Sequence, residues 1–153
     1  MPSVRDATYD VLRRLELTTI FSNPGSTEVP FLAGLPDDLR FVLALHEGSV
    51  VSIACGYALG QGRPALALLH STPGLGNAVA AIATARLNRV PLVVIVGQQD
   101  RRHLALEPFL AGRLHGLAGT TRCSRSSRCA RRMFRVRSSA PSTPRRAAAG
   151  PRS

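Results

Sequence analysis

Aromatic side chains are scarce in this chain: five Phe, two Tyr and no Trp, 5% of 153 residues. With 44% hydrophobic residues, the core must therefore be aliphatic, built from Leu, Val, Ile and Ala. Long apolar runs are missing too. The longest, Val90 to Val96, is interrupted by Pro91 and far too short to span a bilayer. Cysteine is rare and unpatterned: three residues, with five between Cys123 and Cys129 and no paired histidines after them. That spacing excludes a zinc finger, and no metal site is expected. The N-terminus, Met1-Pro2-Ser3-Val4-Arg5-Asp6, has no apolar signal core, so a reducing cytoplasm is the expected compartment.

Acid is absent from the last third of the chain, which makes the net charge of +11 misleading. All nine acidic residues lie at or before Glu107. Residues 1–115 carry ten Arg against those nine acids, whereas residues 116–153 carry ten Arg and no acid. This second stretch is rich in Ser, Pro, Ala and Arg and follows no helical or strand period. It cannot bury enough apolar surface to offset chain entropy and is expected to be a disordered basic tail. Three origins are open: a nucleic-acid-binding arm, an inert tail, or a frame-shifted translation product. The sequence offers a test. Arg132-Met133-Phe134-Arg135-Val136-Arg137 can be encoded AGG ATG TTC CGG GTG CGA, which in a shifted frame reads Asp-Val-Pro-Gly-Ala, a loop entering a helix. The frame-shifted origin is the favoured one, and nucleic acid is not expected as a partner.

Within residues 1–115, strand-like and helical segments alternate. Val4, Ala7, Val11, Leu12 and Leu15 form a helical stripe. Thr18 to Phe21 is a short β-type run closed by Asn23-Pro24-Gly25, after which Ser26 or Thr27 can cap a helix starting near Glu28. Pro36-Asp37-Asp38 is a turn, and Phe41 to Leu45 is the second strand. A helix over Ser49 to Leu59 follows, with Val50, Val51, Ala54, Tyr57 and Ala58 on one face and Gly60 and Gly62 ending it. Pro64 to Leu69 is the third strand. Ser71 to Asn77 reads as a glycine-rich turn, Ala78 to Leu87 as an Ala-rich helix, and Pro91 to Val96 as a fourth strand with both faces covered. This rhythm predicts an α/β fold: a parallel sheet with helices on both faces, incomplete at its C-terminal end.

In such sheets ligands bind beyond the carboxyl ends of the strands. Ser26, Glu47, His70 and Gln98 all follow strand ends and can share one rim. Each has a plainer reading taken alone. Glu47 can cap the following helix, where its charge complements the dipole. His70 can be a loop histidine with its hydrogen bonds satisfied, Ser26 an N-cap, and Arg101-Arg102-His103 a solvated turn. Their convergence on one rim is what favours a functional site.

Four ordered motifs carry a resemblance: Asn23-Pro24-Gly25-Ser26-Thr27-Glu28; His46-Glu47-Gly48 with Gly56-Tyr57-Ala58; His70-Ser71-Thr72-Pro73-Gly74-Leu75-Gly76-Asn77; and Pro91 to Gln99. Together, over residues 1 to about 115, they resemble the N-terminal, pyrimidine-binding domain of thiamine diphosphate enzymes. The benzoylformate decarboxylase branch is the most similar. The acetolactate synthase branch is close but usually lacks a histidine at the place of His70.

The resemblance implies roles. Glu47 matches the glutamate that hydrogen-bonds the cofactor's aminopyrimidine and favours its imino form. His70 matches a proton-shuttling histidine, and Ser26 a serine that contacts the substrate carboxylate. Pro24, Gly25, Gly74 and Asn77 would line the cofactor, with glycines such as Gly76 allowing close backbone approach. A 2-oxo acid would be the substrate. The family's Mg²⁺ and diphosphate are held by a second domain with a Gly-Asp-Gly signature, which residues 1–153 do not contain. Intact family members place their sites between subunits, so a homodimer or tetramer is implied. Cys55 stands where the family usually has Asp. The expectation is a partial half-site, inactive alone. The alternatives are a non-catalytic partner-binding module, such as one subunit of a split enzyme, or an acetolactate synthase-like carboligase.

Overall fold

The computed structural model describes residues 3–119. The elements run α1 (Val4–Arg14), β1 (Thr19–Asn23), α2 (Val29–Leu32), β2 (Arg40–Leu43), α3 (Glu47–Gln61), β3 (Ala65–Leu69), α4 (Ser71–Leu87) and β4 (Leu92–Val96), followed by a 3₁₀ turn at Leu104–Leu106. The four strands form one parallel sheet in the order β2-β1-β3-β4. The α/β architecture expected from the segment rhythm is thus the observed one. Of the expected disordered tail, residues 116–119 are described: they complete and follow a turn, and Ala118 packs against the α3–α4 core. Residues 120–153, with the proposed frameshift and Cys123 and Cys129, lie outside the described residues.

Alternation along the strands assigns their two faces. Phe21, Ala65, Ala67 and Leu69 face α3 and α4, packing with Val50, Val51, Ala54, Ala58, Leu75, Ala78 and Ile82. Ile20, Leu66, Leu68 and Ile95 face the other way and pack with Tyr9 and Leu12 of α1 and with Leu17 and Leu39. Burial of side chains such as Leu12, Ile20 and Leu66, each fully buried, contributes about 1.5–3 kcal/mol apiece. β3 is buried at every position because it has a strand on either side. β4 packs on both faces, as its unbroken apolar run predicts, and keeps partial exposure only because it is an edge of this sheet.

Helix ends follow local chemistry. Ser3 and Asp6 form a reciprocal capping box on α1. α3 starts at Glu47 rather than Ser49, because the Nδ1 of His46 accepts from the Gly48 N–H at 3.1 Å and acts as its cap. It ends at Gly62, which takes the left-handed conformation at φ 67°; Gly60 is inside the helix and ends nothing. The face predicted for this helix is buried except at Tyr57, which is 40% exposed. Its ring still tilts against Phe21 at 5.2 Å.

The glycine-rich segment Ser71 to Asn77 is a correction to the sequence reading: it is the first two turns of α4, not a turn. Pro73 falls in the first turn, where the missing N–H costs no helical bond. Gly74 donates its N–H to the His70 carbonyl at 2.7 Å. A Cβ there would lie 3.4 Å from the Leu69 backbone and 3.5 Å from Glu47 Cγ, ordinary contact distances, and the glycine does not reverse the chain. The helix predicted near Glu28 is one turn long, and Arg5 binds its Ala33 carbonyl at 2.9 Å.

Candidate active site at the strand ends

Because the sheet is parallel, the ends of β1, β2, β3 and β4 open on one side of the molecule, and the chemistry-bearing residues gather there. Glu47, the first residue of α3, is 7% exposed. Its Oε2 accepts from Asn77 Nδ2 at 2.9 Å and its Oε1 from Asn23 Nδ2 at 3.1 Å. Burial pushes the carboxyl up. The donors from Asn77, its own backbone N–H and Asn23, together with nearby His46, outweigh that push and hold it below the ordinary glutamate value. Glu47 is therefore an ionised carboxylate in a fixed orientation. Each oxygen retains a lone pair beyond the amide it binds. The cap role considered for Glu47 belongs to His46, while Glu47 adds its charge to the first turn.

A second buried carboxylate lies alongside. Glu28 is 2% exposed, and the sequence reading gave it no chemical role. Its Oε2 accepts from the Gly25 N–H at 2.8 Å and lies 2.8 Å from Nδ1 of His70; its Oε1 accepts from the Thr27 hydroxyl. Thr27 Oγ1 is also 3.1 Å from Nδ1 of His70. The imidazole lies so close over Gly25 that a Cβ there would overlap the ring. Both β1 and β3 deliver their residues to one point because they are neighbours in the sheet.

The predicted residues divide. Gly25, Glu47, His70, Gly74 and Asn77 come together. Asn77 meets Glu47 through its side-chain amide, so it orients the carboxylate. Pro24 is half-buried between Asn23 and Gly25 in the same turn. Ser26 is on that turn but exposed, with no side-chain hydrogen bond among the described residues. Gln98 is exposed and turns its Oε1 onto the Gln99 N–H at 2.9 Å. Gly76 is exposed on α4 with open space around it. Cys55 is a half-buried free thiol at the margin of the α3–α4 core, where burial pushes it up. Arg101, Arg102 and His103 form an exposed turn in which Arg102 pairs with Asp100 at 2.7 Å. Asn23, Thr27 and Glu28 were missed as site residues. Each stands in the Asn23–Glu28 motif, but its partner comes from a distant segment.

Residues 2–120 match the family described as thiamine pyrophosphate enzyme, N-terminal TPP binding domain. The chain belongs to this family. It is 49% identical over 111 residues to a benzoylformate decarboxylase of Pseudomonas aeruginosa, a match covering 72% of this chain and 21% of that one. It is 36% identical over 106 residues to the chloroplastic acetolactate synthase of Arabidopsis thaliana, covering 68% and 16%. Among solved structures it is similar to the thiamine diphosphate-dependent 4-hydroxybenzoylformate decarboxylase of Rhodococcus jostii. That likeness has a TM-score of 0.74 at 45% identity and covers 78% of this chain and 23% of that one. It is also similar to a benzoylformate decarboxylase of Polynucleobacter necessarius, with TM-score 0.71 at 45% identity over 72% and 21% of the two chains. The chain thus spans about a fifth of the length of these decarboxylases.

Two observations fit a thiamine diphosphate pyrimidine at this rim. Glu47 is an oriented, ionised acceptor, and Gly74 leaves no side chain between it and His70. Among the described residues no helix is long and apolar enough to cross a membrane, and no cluster of three or more His, Cys, Asp or Glu could hold a metal ion.

Proposed function

We propose that residues 1–115 carry the pyrimidine-binding half-site of a thiamine diphosphate-dependent 2-oxo-acid decarboxylase of the benzoylformate type. Bound thiamine diphosphate supplies a carbon nucleophile and electron sink for breaking a bond next to a keto group. The residues of this chain do the rest. Glu47 presents a carboxylate oxygen to the pyrimidine ring and biases where its proton resides. Asn23 and Asn77 keep that carboxylate ionised and aimed. Pro24, Gly25 and Gly74 shape the wall beside it. His70 takes up and returns protons through its imidazole, and Ser26 binds the substrate carboxylate. The diphosphate and its Mg²⁺ are held by a second domain, and the complete site is shared between two subunits of a cytoplasmic dimer or tetramer.

The observation that carries this reading is Glu47: a buried carboxylate held below its ordinary value, at a strand-to-helix joint, flanked by two amide donors. Such preorganised groups need no reorganisation when a ligand arrives. His70 favours a decarboxylase over an acetolactate synthase-like carboligase, whose branch usually lacks it. The test is a chimera in which residues 1–119 replace the matching segment of the Pseudomonas aeruginosa enzyme. The expected result is benzoylformate decarboxylation that Glu47→Gln abolishes together with fast deuterium exchange at the thiazolium carbon. A folded, cofactor-loaded chimera whose exchange rate ignores Glu47→Gln would falsify the assignment.

A further inference from the structure

Glu28 is an ionisable side chain at 2% exposure to which the proposed function gives no task. A carboxylate at that depth persists only if donors surround it. Three groups do: the Gly25 N–H, the Thr27 hydroxyl and Nδ1 of His70. Glycine makes room for this arrangement on two sides. A Cβ on Gly97, just past β4, would collide with Glu28 Oε1 and stand 2.8 Å from Thr27 Oγ1; one on Gly25 would collide with the imidazole.

The network decides where the ring proton sits. Thr27 has one hydroxyl proton and gives it to Glu28, so toward His70 Nδ1, 3.1 Å away, it presents a lone pair. Glu28 Oε2 presents another at 2.8 Å. Two acceptors converge on one ring nitrogen, which must then be the N–H. A neutral imidazole has a single N–H, so Nε2 is bare. Nε2 of His70 makes no hydrogen bond among the described residues, and Glu47 binds its two asparagines rather than the ring.

We propose that Glu28 is a positioning residue for His70, holding the neutral ring as the Nδ1–H tautomer so that the proton His70 carries is loaded and released at Nε2. Proton uptake at Nε2 gives an imidazolium with its charge against the Glu28 carboxylate; release at the same atom restores the neutral ring. The use of that proton in turnover rests on the proposed function. The tautomer does not, because it is a property of the chain without cofactor.

The experiment is long-range ¹H–¹⁵N correlation of histidine side chains in the full 153-residue chain, well above the titration of free imidazole and without cofactor, with His70 assigned by its loss in His70→Gln. His46 is the internal control: its Nδ1 accepts from the Gly48 N–H, so it must show the opposite, Nε2–H pattern. The parent is expected to show Nδ1–H at His70. Glu28→Ala is expected to lose that pattern and revert to the Nε2–H form that free histidine favours, and Thr27→Ala to retain it. An Nε2–H pattern at His70 in the parent overturns the proposal, and this needs no variant to fold. A folded Glu28→Ala chain that keeps Nδ1–H overturns it equally. A folded chimera of residues 1–119 in the Pseudomonas aeruginosa enzyme that fails to decarboxylate benzoylformate would count against the proposed function and leave the tautomer result standing.

Discussion

Asn77, in the second turn of α4, and Glu47, the first residue of α3, are joined by a 2.9 Å hydrogen bond from amide nitrogen to carboxylate oxygen. That bond, with the one from Asn23, is what permits a carboxylate to stay ionised at 7% exposure. Asn77→Ala should therefore raise the Glu47 titration and destabilise the fold. A hydrogen bond to a charged group is worth about 1.5–3 kcal/mol. Glu47 titrates below its ordinary value in the fold, so its contribution is present above that ordinary value and fades as pH falls through the folded one. The gap between parent and Asn77→Ala in urea melts should be full at neutral pH and shrink in acid. A gap that does not change with pH would mean the amide is not acting on a carboxylate.

Two glycines two residues apart at the end of α3, Gly60 inside it and Gly62 as its cap, should respond with opposite signs. Gly62 has φ 67° and nothing within 4 Å of an added Cβ, so Gly62→Ala costs only backbone strain, about 1–2 kcal/mol. Gly60 is helical with equally open surroundings, and Gly60→Ala should stabilise by about 0.5–1 kcal/mol. Thermal melts of both variants check this. If both destabilise, α3 ends earlier than Gln61.

The strands were legible in the sequence because a parallel sheet writes its buried positions as short apolar runs, as in Ala65–Leu69 and Leu92–Val96. Glu47 was legible because a charged residue breaks such a run at its carboxyl end. The start of α4 was not, since Pro73, Gly74 and Gly76 are turn residues by propensity. Glu28 was hidden for a different reason. Its partner His70 is 42 residues away, and their meeting depends on β1 lying beside β3, an order that sequence succession does not dictate.

Gly25→Ala should displace His70. The added methyl would occupy the space of the imidazole ring, which cannot move without breaking its contacts to Glu28 and Thr27. Overpacking of this kind costs about 1–3 kcal/mol. The ¹H–¹⁵N signals of His70 should shift while those of His46, whose Nδ1 accepts from the Gly48 N–H, stay in place. Unchanged His70 signals in a folded Gly25→Ala chain would show that the ring does not lie over Gly25.

The polypeptide of residues 1–153 should bind thiamine diphosphate weakly, even with Mg²⁺, and should not turn over benzoylformate. Through Glu47 it offers the pyrimidine one charge-assisted hydrogen bond, worth about 1.5–3 kcal/mol. Micromolar affinity needs about 8 kcal/mol. The described residues contain no cluster able to hold the metal that would neutralise a diphosphate. Calorimetry with Mg²⁺ present should give no saturable heat at micromolar cofactor. Adding a partner polypeptide that supplies a diphosphate-binding domain should convert this to measurable binding, and Glu47→Gln should weaken that binding less than it slows proton exchange at the thiazolium carbon, because the carboxylate acts on the position of a proton more than on residence of the ring. Micromolar binding by the chain alone would place the diphosphate ligands within these residues and overturn the division of the site between two domains.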